Sequence, residues 1–278
     1  MIQAILLGNA QDAGVPQAGC GCDNCRAAWA NGAQNWVSAL GLLDADSAEW
    51  FLIDATPDFR EQFHAMQIAA GPARLAGILI THAHIGHYTG LIHLGYEVMA
   101  ARDVPVYGTQ RLIDFLSGHA PWRQLVTQRN ITLRCLAPGE WHSLTPALAV
   151  QPLNVPHRDE WSDTVCFIAR GAARSLLYLP DIDSWDAWDR PVQDMVGSVD
   201  IALLDGSFFS PDELPGRDLA AIGHPLVVDT ARRLHGLGAD VRFIHLNHSN
   251  PLLRSSPERE WLESRGFRIG QANDCWEI

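Results

Sequence analysis

Three histidines within six residues, in Thr81-His82-Ala83-His84-Ile85-Gly86-His87, constrain this chain more than any other feature. They follow the apolar run Gly77-Ile78-Leu79-Ile80, whose branched side chains predict a strand. On an extended backbone His82 and His84 project to the same side, so both imidazoles reach a single ion. Gly86 turns the chain, and His87 is expected at the start of a helix. One histidine at a strand end is more often a local hydrogen-bonding or capping residue. Three at this spacing favour a metal site over that reading.

The same arrangement recurs along the chain: an apolar run ends and polar, ligand-type residues follow at once. It is seen in Phe51-Leu-Ile-Asp54, Ile78-Leu-Ile-Thr-His82, Leu176-Leu-Tyr-Leu-Pro-Asp181, Ala202-Leu-Leu-Asp205 and Phe243-Ile-His245. Strand ends are rigid points from which loops converge on a common crevice. Strands are predicted at 3–8, 37–43, 50–54, 77–81, 104–108, 131–136, 148–155, 165–170, 175–179, 201–204 and 241–246. Helices are predicted at 57–68, 87–101, 109–118, 225–237 and 257–264, with Pro57 and Pro257 near helix starts. No repeat or linker interrupts the pattern, so residues 1–278 are expected to form one α/β domain of two face-to-face sheets with helices outside.

Composition removes several functional classes. A formal charge of −12 gives no broad cationic surface for nucleic acid. All 20 basic residues are arginine, so Schiff-base lysines, lysine nucleophiles and a P-loop are excluded. No apolar run approaches the roughly 18 residues that span a bilayer. The start, Met1-Ile-Gln-Ala-Ile-Leu-Leu-Gly8, lacks the basic end of an export signal and reads as a first strand. A cytoplasmic protein acting on a small-molecule substrate is expected, without nucleic acid or membrane partners, and with the oligomeric state, a homodimer included, left open.

Cys20-Gly-Cys22-Asp-Asn-Cys25 groups three of the six cysteines. Without an export signal, such spacing favours metal over disulfides, and three thiolates fall one short of a tetrahedral zinc site. His248, three residues after His245, is the candidate fourth ligand. Cys135 and Cys166 lie in apolar stretches and read as ordinary buried residues. Trp185 and Trp188 read as packing. The acidic run Asp181, Asp183, Asp186 and Asp189 lacks the pattern of a calcium loop, so only Asp181 is singled out.

The histidine segment resembles the His-x-His-x-Asp-His signature of the metallo-β-lactamase superfamily. The resemblance extends to Asp54, to His157 in Val155-Pro-His157, to Asp181 in Leu179-Pro-Asp181 and to His245. It implies the four-layer αββα sandwich. It also implies a first metal on His82, His84 and His157, a second on His87 and His245, and a bridge from Asp181. Gly86 stands where the family has a carboxylate, which leaves the second ion short of a ligand and the number of ions, one or two, open. Gly14-Val-Pro-Gln-Ala-Gly-Cys20-Gly-Cys-Asp-Asn-Cys25, Thr89-Gly90-Leu91 and Phe243-Ile-His-Leu-Asn-His-Ser-Asn-Pro251 are similar to the pyrroloquinoline quinone (PQQ) biosynthesis protein B family. The cysteine motif and the His245-x-x-His248 pair also resemble the carbon–phosphorus lyase accessory phosphodiesterase.

Zinc is expected at the cysteines, and Zn, Mn or Fe at the histidines. The leading functional expectation is a metallohydrolase in which metal-bound hydroxide attacks a phosphodiester or other small ester-like substrate. Asp181 and His224, in Ile222-Gly-His224-Pro225, are its candidate catalytic residues, with His224 as the acid and a helix-start role as its alternative. The PQQ-like resemblance implies a second function, oxidative maturation of a peptide-derived cofactor by non-haem iron. A third is a metal carrier or scaffold without turnover. Asp205 and Ser207 are expected to play supporting roles only, and His64, His93, His119, His142 and His235 to be structural.

Overall fold

The computed structural model describes residues 1–216 and 222–278. Among these residues the strands form two sheets. The first runs in the order β14 (Cys275–Glu277), β1 (Ile2–Gly8), β2 (Ala39–Asp44), β3 (Glu49–Ile53), β4 (Arg74–Leu79), β5 (Val104–Gly108) and β6 (Ile131–Cys135). The second runs in the order β13 (Arg268–Ile269), β12 (Asp240–Ile244), β11 (Ile201–Asp205), β10 (Ser175–Leu179), β9 (Val165–Arg170), β8 (Ala149–Asn154) and β7 (His142–Ser143). The helices are α1 (Asp23–Asn31), α2 (Phe59–Ala70), α3 (Ile85–Tyr88), α4 (Gln110–Gly118), α5 (Trp122–Thr127), α6 (Val192–Gly197), α7 (Val227–Leu234) and α8 (Pro257–Glu263).

Three apolar layers hold these elements together. Leu6, Leu40, Phe51 and Leu79 meet Val150, Phe167, Leu176, Tyr178, Ile201 and Leu203 between the sheets. On the outside of the first sheet, α2 buries Phe59, Gln62, Met66 and Ala70, a helical stripe along one face. On the outside of the second, α7 buries Val227, Thr230, Ala231 and Leu234. Because both faces of each sheet are covered, the central strands are continuous apolar runs rather than alternating ones. The result is the expected four-layer αββα sandwich. No described helix is long and apolar enough to cross a membrane.

Strand direction positions the site. β3, β4 and β5 are parallel, as are β10, β11 and β12, so their C-terminal ends lie at one edge of each sheet. Double antiparallel pairings turn β1 and β8 the same way. The two edges are joined directly. Ala10 bridges both Val37 and Leu246, and the Val165 amide donates to the Thr81 carbonyl at 3.1 Å.

The helix expected at 87–101 does not form. α3 stops at Tyr88 and a 3-10 turn follows over Thr89–Leu94. The His87 carbonyl accepts from the Ala55 amide at 2.8 Å, and the Gly90 amide donates to the Ala55 carbonyl at 2.8 Å. These backbone groups are therefore committed to the β3 loop. Gly90 is forced by that approach, since a Cβ there would lie 2.3 Å from the Thr56 carbonyl oxygen. The short helices α1, α5 and α6 and the edge strands β7, β13 and β14 lie outside the predicted elements. Cys135 is a correction of another kind: it is exposed, as the last residue of edge strand β6, whereas Cys166 is buried.

Candidate metal centre

His82 and His84 leave the end of β4, and His157 leaves the end of β8. His82 Nε2 lies 2.8 Å from His84 Nδ1, and His157 Nε2 lies 3.2 Å from the same atom. Nitrogens on one tetrahedral zinc ion are separated by about 3.3 Å, given Zn–N bonds near 2.0 Å. The three rings are thus already gathered around one point. His82 is fully buried, and burial together with neighbouring His87 pushes its pKa well below the usual histidine range despite Asp181. Burial lowers His84 as well. A neutral imidazole is the form that ligates a metal.

His87 and His245 gather around a second point. Asp181 Oδ2 lies 3.0 Å from His87 Nε2 and 3.3 Å from His245 Nε2, while remaining 3.9 Å from His82 Nε2. Its other oxygen lies 3.6 Å from His157 Nε2. One carboxylate therefore faces both sets of nitrogens. Burial raises the Asp181 pKa, but His245, His87 and His157 outweigh it and hold the group well below the carboxylate range. His87 shifts the opposite way. Burial lowers it, yet Asp54, Asp12 and Asp181 push it well above normal. The carboxylates around His87 favour positive charge at this point, from the protonated ring or from a bound cation in its place.

Each ligand is fixed from behind. Asp54 Oδ2 pairs with His87 Nδ1 at 2.8 Å, and its Oδ1 accepts from the Thr81 amide and hydroxyl at 2.8 and 2.9 Å. Asp183 Oδ1 pairs with His157 Nδ1 at 2.7 Å, and Glu160 with His84 Nε2 at 3.2 Å. Such partners set the ring orientation and the tautomer of a ligating histidine. Asp54 and His245 both adopt left-handed backbone angles, φ 68° and 59°. The Asp54 amide is held by the Leu79 carbonyl at 2.8 Å and the His245 amide by Ser38 Oγ at 2.9 Å. Uncommon backbone held by hydrogen bonds in this way clusters at functional sites.

His224 completes the centre. Its Nδ1 pairs with the buried Asp205 at 2.7 Å and lies 3.9 Å from Asp181 Oδ1. Burial lowers its pKa, but Asp205 outweighs it, with help from Asp181 and Asp12, and raises the group to about 9. Ser207 Oγ lies 3.2 Å from His224 Nδ1 and 3.1 Å from His245 Nδ1, tying the two loops together.

Cys20, Cys22, Cys25 and His248 form a separate cluster. Cys20 Sγ and Cys22 Sγ lie 3.3 and 3.4 Å from His248 Nδ1. Amides of Gln17, Cys22 and Cys25 point at Cys25, Cys20 and Cys22 sulfurs respectively, the donors that thiolates need. Burial, opposed by the Gln17 amide, pushes the Cys25 thiol up to about 11. At neutral pH Cys25 would therefore stay a thiol unless a cation displaced its proton, and three sulfurs with one imidazole are a donor set that suits structural zinc.

The structure thus brings together every residue singled out for metal from the sequence, and His224 beside them. Sequence reasoning missed Asp12, Asp183 and Glu160. Asp12 follows β1, and its Oδ1 lies 3.3 Å from His87 Nε2 and 3.6 Å from His245 Nε2. The signal for Asp12 was available, since it follows a first strand as the other ligands follow theirs. Asp183 had a signal too, two residues after Asp181 in the loop beyond β10. Nothing in the sequence points to Glu160.

Two sheets whose ends deliver this histidine and aspartate set define the class. The chain belongs to the family described as the Beta-lactamase superfamily domain, which residues 49–248 match. It is similar to Coenzyme PQQ synthesis protein B of Methylobacterium sp. (strain 4-46), at 27% identity over 304 residues covering 96% of this chain and 97% of the relative. Two solved structures share the fold. Zn(2+)-bound PqqB from Methylobacterium extorquens superimposes with a TM-score of 0.84 at 21% identity, covering 99% of this chain and 100% of the other. A diphosphatase from the PhnP family gives 0.73 at 20% identity, covering 100% and 97%.

Proposed function

We propose that this chain is a metal-dependent hydrolase that cleaves a phosphodiester or a similar small ester-like substrate. The observation that carries the reading is the placement of a carboxylate-backed histidine, His224, beside two sets of ligand atoms that share Asp181. His82, His84 and His157 would hold one divalent ion, and His87, His245 and Asp181 the other. Ions held there would supply an acidified water and draw charge from the bond under attack. Asp183 and Asp54 keep the imidazoles aimed. With Nδ1 committed to Asp205, His224 would have Nε2, 3.5 Å from Gln11 Nε2, left to donate a proton to a leaving oxygen. The pocket beside it, about 310 Å³ and lined by Asp183, Trp185, His224 and Arg233, suits a small substrate. The shared fold of a PhnP-family diphosphatase agrees with phosphoryl chemistry. The test is a panel of phosphodiesters and lactones with Zn- or Mn-loaded protein. Turnover that disappears in His82→Ala is expected, and inactivity across the panel overturns the reading.

A second reading, a part in coenzyme PQQ synthesis, is supported by similarity over nearly the whole chain to proteins of that name. It replaces hydrolysis with oxidation at iron on His82, His84 and His157. Oxygen uptake by iron-loaded protein with a tyrosine-containing peptide, without phosphodiester cleavage, would favour it. Tight metal binding with neither activity would favour a carrier.

A further inference from the structure

We propose that Asp12 is a ligand of the second metal ion, and that residue 86 is glycine because the Asp12 carboxylate occupies the space its side chain would fill. The inference rests on reading the histidines as a metal centre, and not on which reaction occurs there.

Four atoms carry it. Among the described residues, Asp12 Oδ1, His87 Nε2, Asp181 Oδ2 and His245 Nε2 are buried and make no well-formed hydrogen bond. Yet they converge, with the two histidine nitrogens 3.0–3.6 Å from the two carboxylate oxygens. Polar atoms buried without hydrogen bonds cost about 1–3 kcal/mol each, so four that face one another mark the coordination shell of a cation. Two imidazoles and two carboxylate oxygens supply four ligand atoms suited to a hard or borderline ion.

Gly86 gives the second, independent observation. A Cβ at this position would lie 2.2 Å from Asp12 Oδ1, 2.8 Å from its Cγ and 2.7 Å from its Cα. Gly86 sits inside α3 and shows no positive φ, so its backbone conformation is open to any residue. Glycine in such a place costs roughly 0.5–1 kcal/mol relative to alanine, and close approach of another group is the physical reason to accept it. Asp12 reaches this point because its segment is tethered on both sides. Ala10 is bridged to both Val37 and Leu246, the Gln11 amide donates to the Leu246 carbonyl at 2.9 Å, and Gly14 closes a turn onto Gln11 at 2.8 Å. The cysteine cluster then binds the following loop to His248, three residues after His245. A carboxylate has moved from the histidine loop to the first strand, and the shell keeps its charge.

The experiment counts metal in apo-protein reloaded with zinc, by elemental analysis and by titration calorimetry. Asp12→Ala is expected to hold one ion fewer than the unaltered protein. Its second-site affinity should fall at least a hundredfold, because residues that only orient ligands are already worth about tenfold to a hundredfold. Gly86→Ala removes no ligand atom, yet is expected to lose the same ion because its methyl displaces the carboxylate. Asp12→Gly combined with Gly86→Asp is expected to recover the ion. An Asp12→Ala protein with unchanged count and affinity overturns the proposal, as does an unaltered protein with a single ion among its histidines. A double variant that stays at the reduced count overturns the steric half of it. None of these counts needs a substrate, so hydrolysis at the first ion stands or falls separately.

Discussion

Replacing Asp205 with asparagine tests the role of His224 without touching a metal ligand. Asp205 is fully buried, pairs with His224 Nδ1 at 2.7 Å and raises the imidazole to about 9 against the pull of burial. The ordinary histidine value is near 6.5. Asparagine keeps the shape and removes the charge, so His224 should titrate two units or more lower. Before metal is bound, the protonated fraction at pH 8 would fall from about 0.9 to about 0.03, roughly thirtyfold. Bound cations lower the imidazole in both proteins alike, so the difference between them remains the measured quantity. The sign is fixed: the Asp205 charge keeps the acid protonated to higher pH, so the alkaline limb of kcat should move to lower pH in Asp205→Asn. The assay is a pH profile on two phosphodiesters, one with an alkoxide leaving group and one with nitrophenolate. The shift should be large for the first and small for the second, which leaves without a proton. Superimposed profiles for the two proteins would refute the assignment of His224 as the acid.

Asp183→Asn should weaken metal binding at His82, His84 and His157 by about tenfold to a hundredfold, because Asp183 orients His157 at 2.7 Å. Competition with a chromophoric chelator checks this, and unchanged affinity would remove Asp183 from the centre. Cys25→Ser should abolish one zinc per chain and destabilise the fold by about 2 kcal/mol, on the order of 5 °C in Tm. It should also weaken the second ion more than the first, since the loop it anchors carries Asp12. Equal effects on both ions would argue that the loop is held independently of its metal.

The sequence made the local parts of the centre legible and left the crossed parts hidden. His82 and His84 are read from spacing alone: the segment beyond β4 is not strand, yet it brings both rings to one point, as a two-residue spacing on extended chain predicts. Asp54, Asp181 and His245 follow because each ends an apolar run. His224 was named from its loop, but its force comes from Asp205, a pairing across 19 positions that no local pattern shows. Asp12 carried a local signal, the end of a first strand, but its partners His87 and His245 lie far along the chain. Gly86 read as a missing ligand, when it is the space left for one that arrives from 74 residues earlier in the chain. The helix expected at 87–101 failed on the same ground. Its apolar residues have helical spacing, but the Ala55 backbone takes the hydrogen bonds that a helix would have used. Cys135 misled because an apolar neighbourhood says nothing of whether its strand lies at a sheet edge.

The central claim is that the centre holds two divalent ions despite Gly86, and diffraction data recorded on either side of the metal absorption edges test it most directly. The expected result is one anomalous peak among His82, His84 and His157, and another among Asp12, His87 and His245. Asp181 should lie between them, with a third, zinc peak at Cys20, Cys22, Cys25 and His248. A single peak among the histidines, or a second peak from which Asp12 turns away, would contradict it.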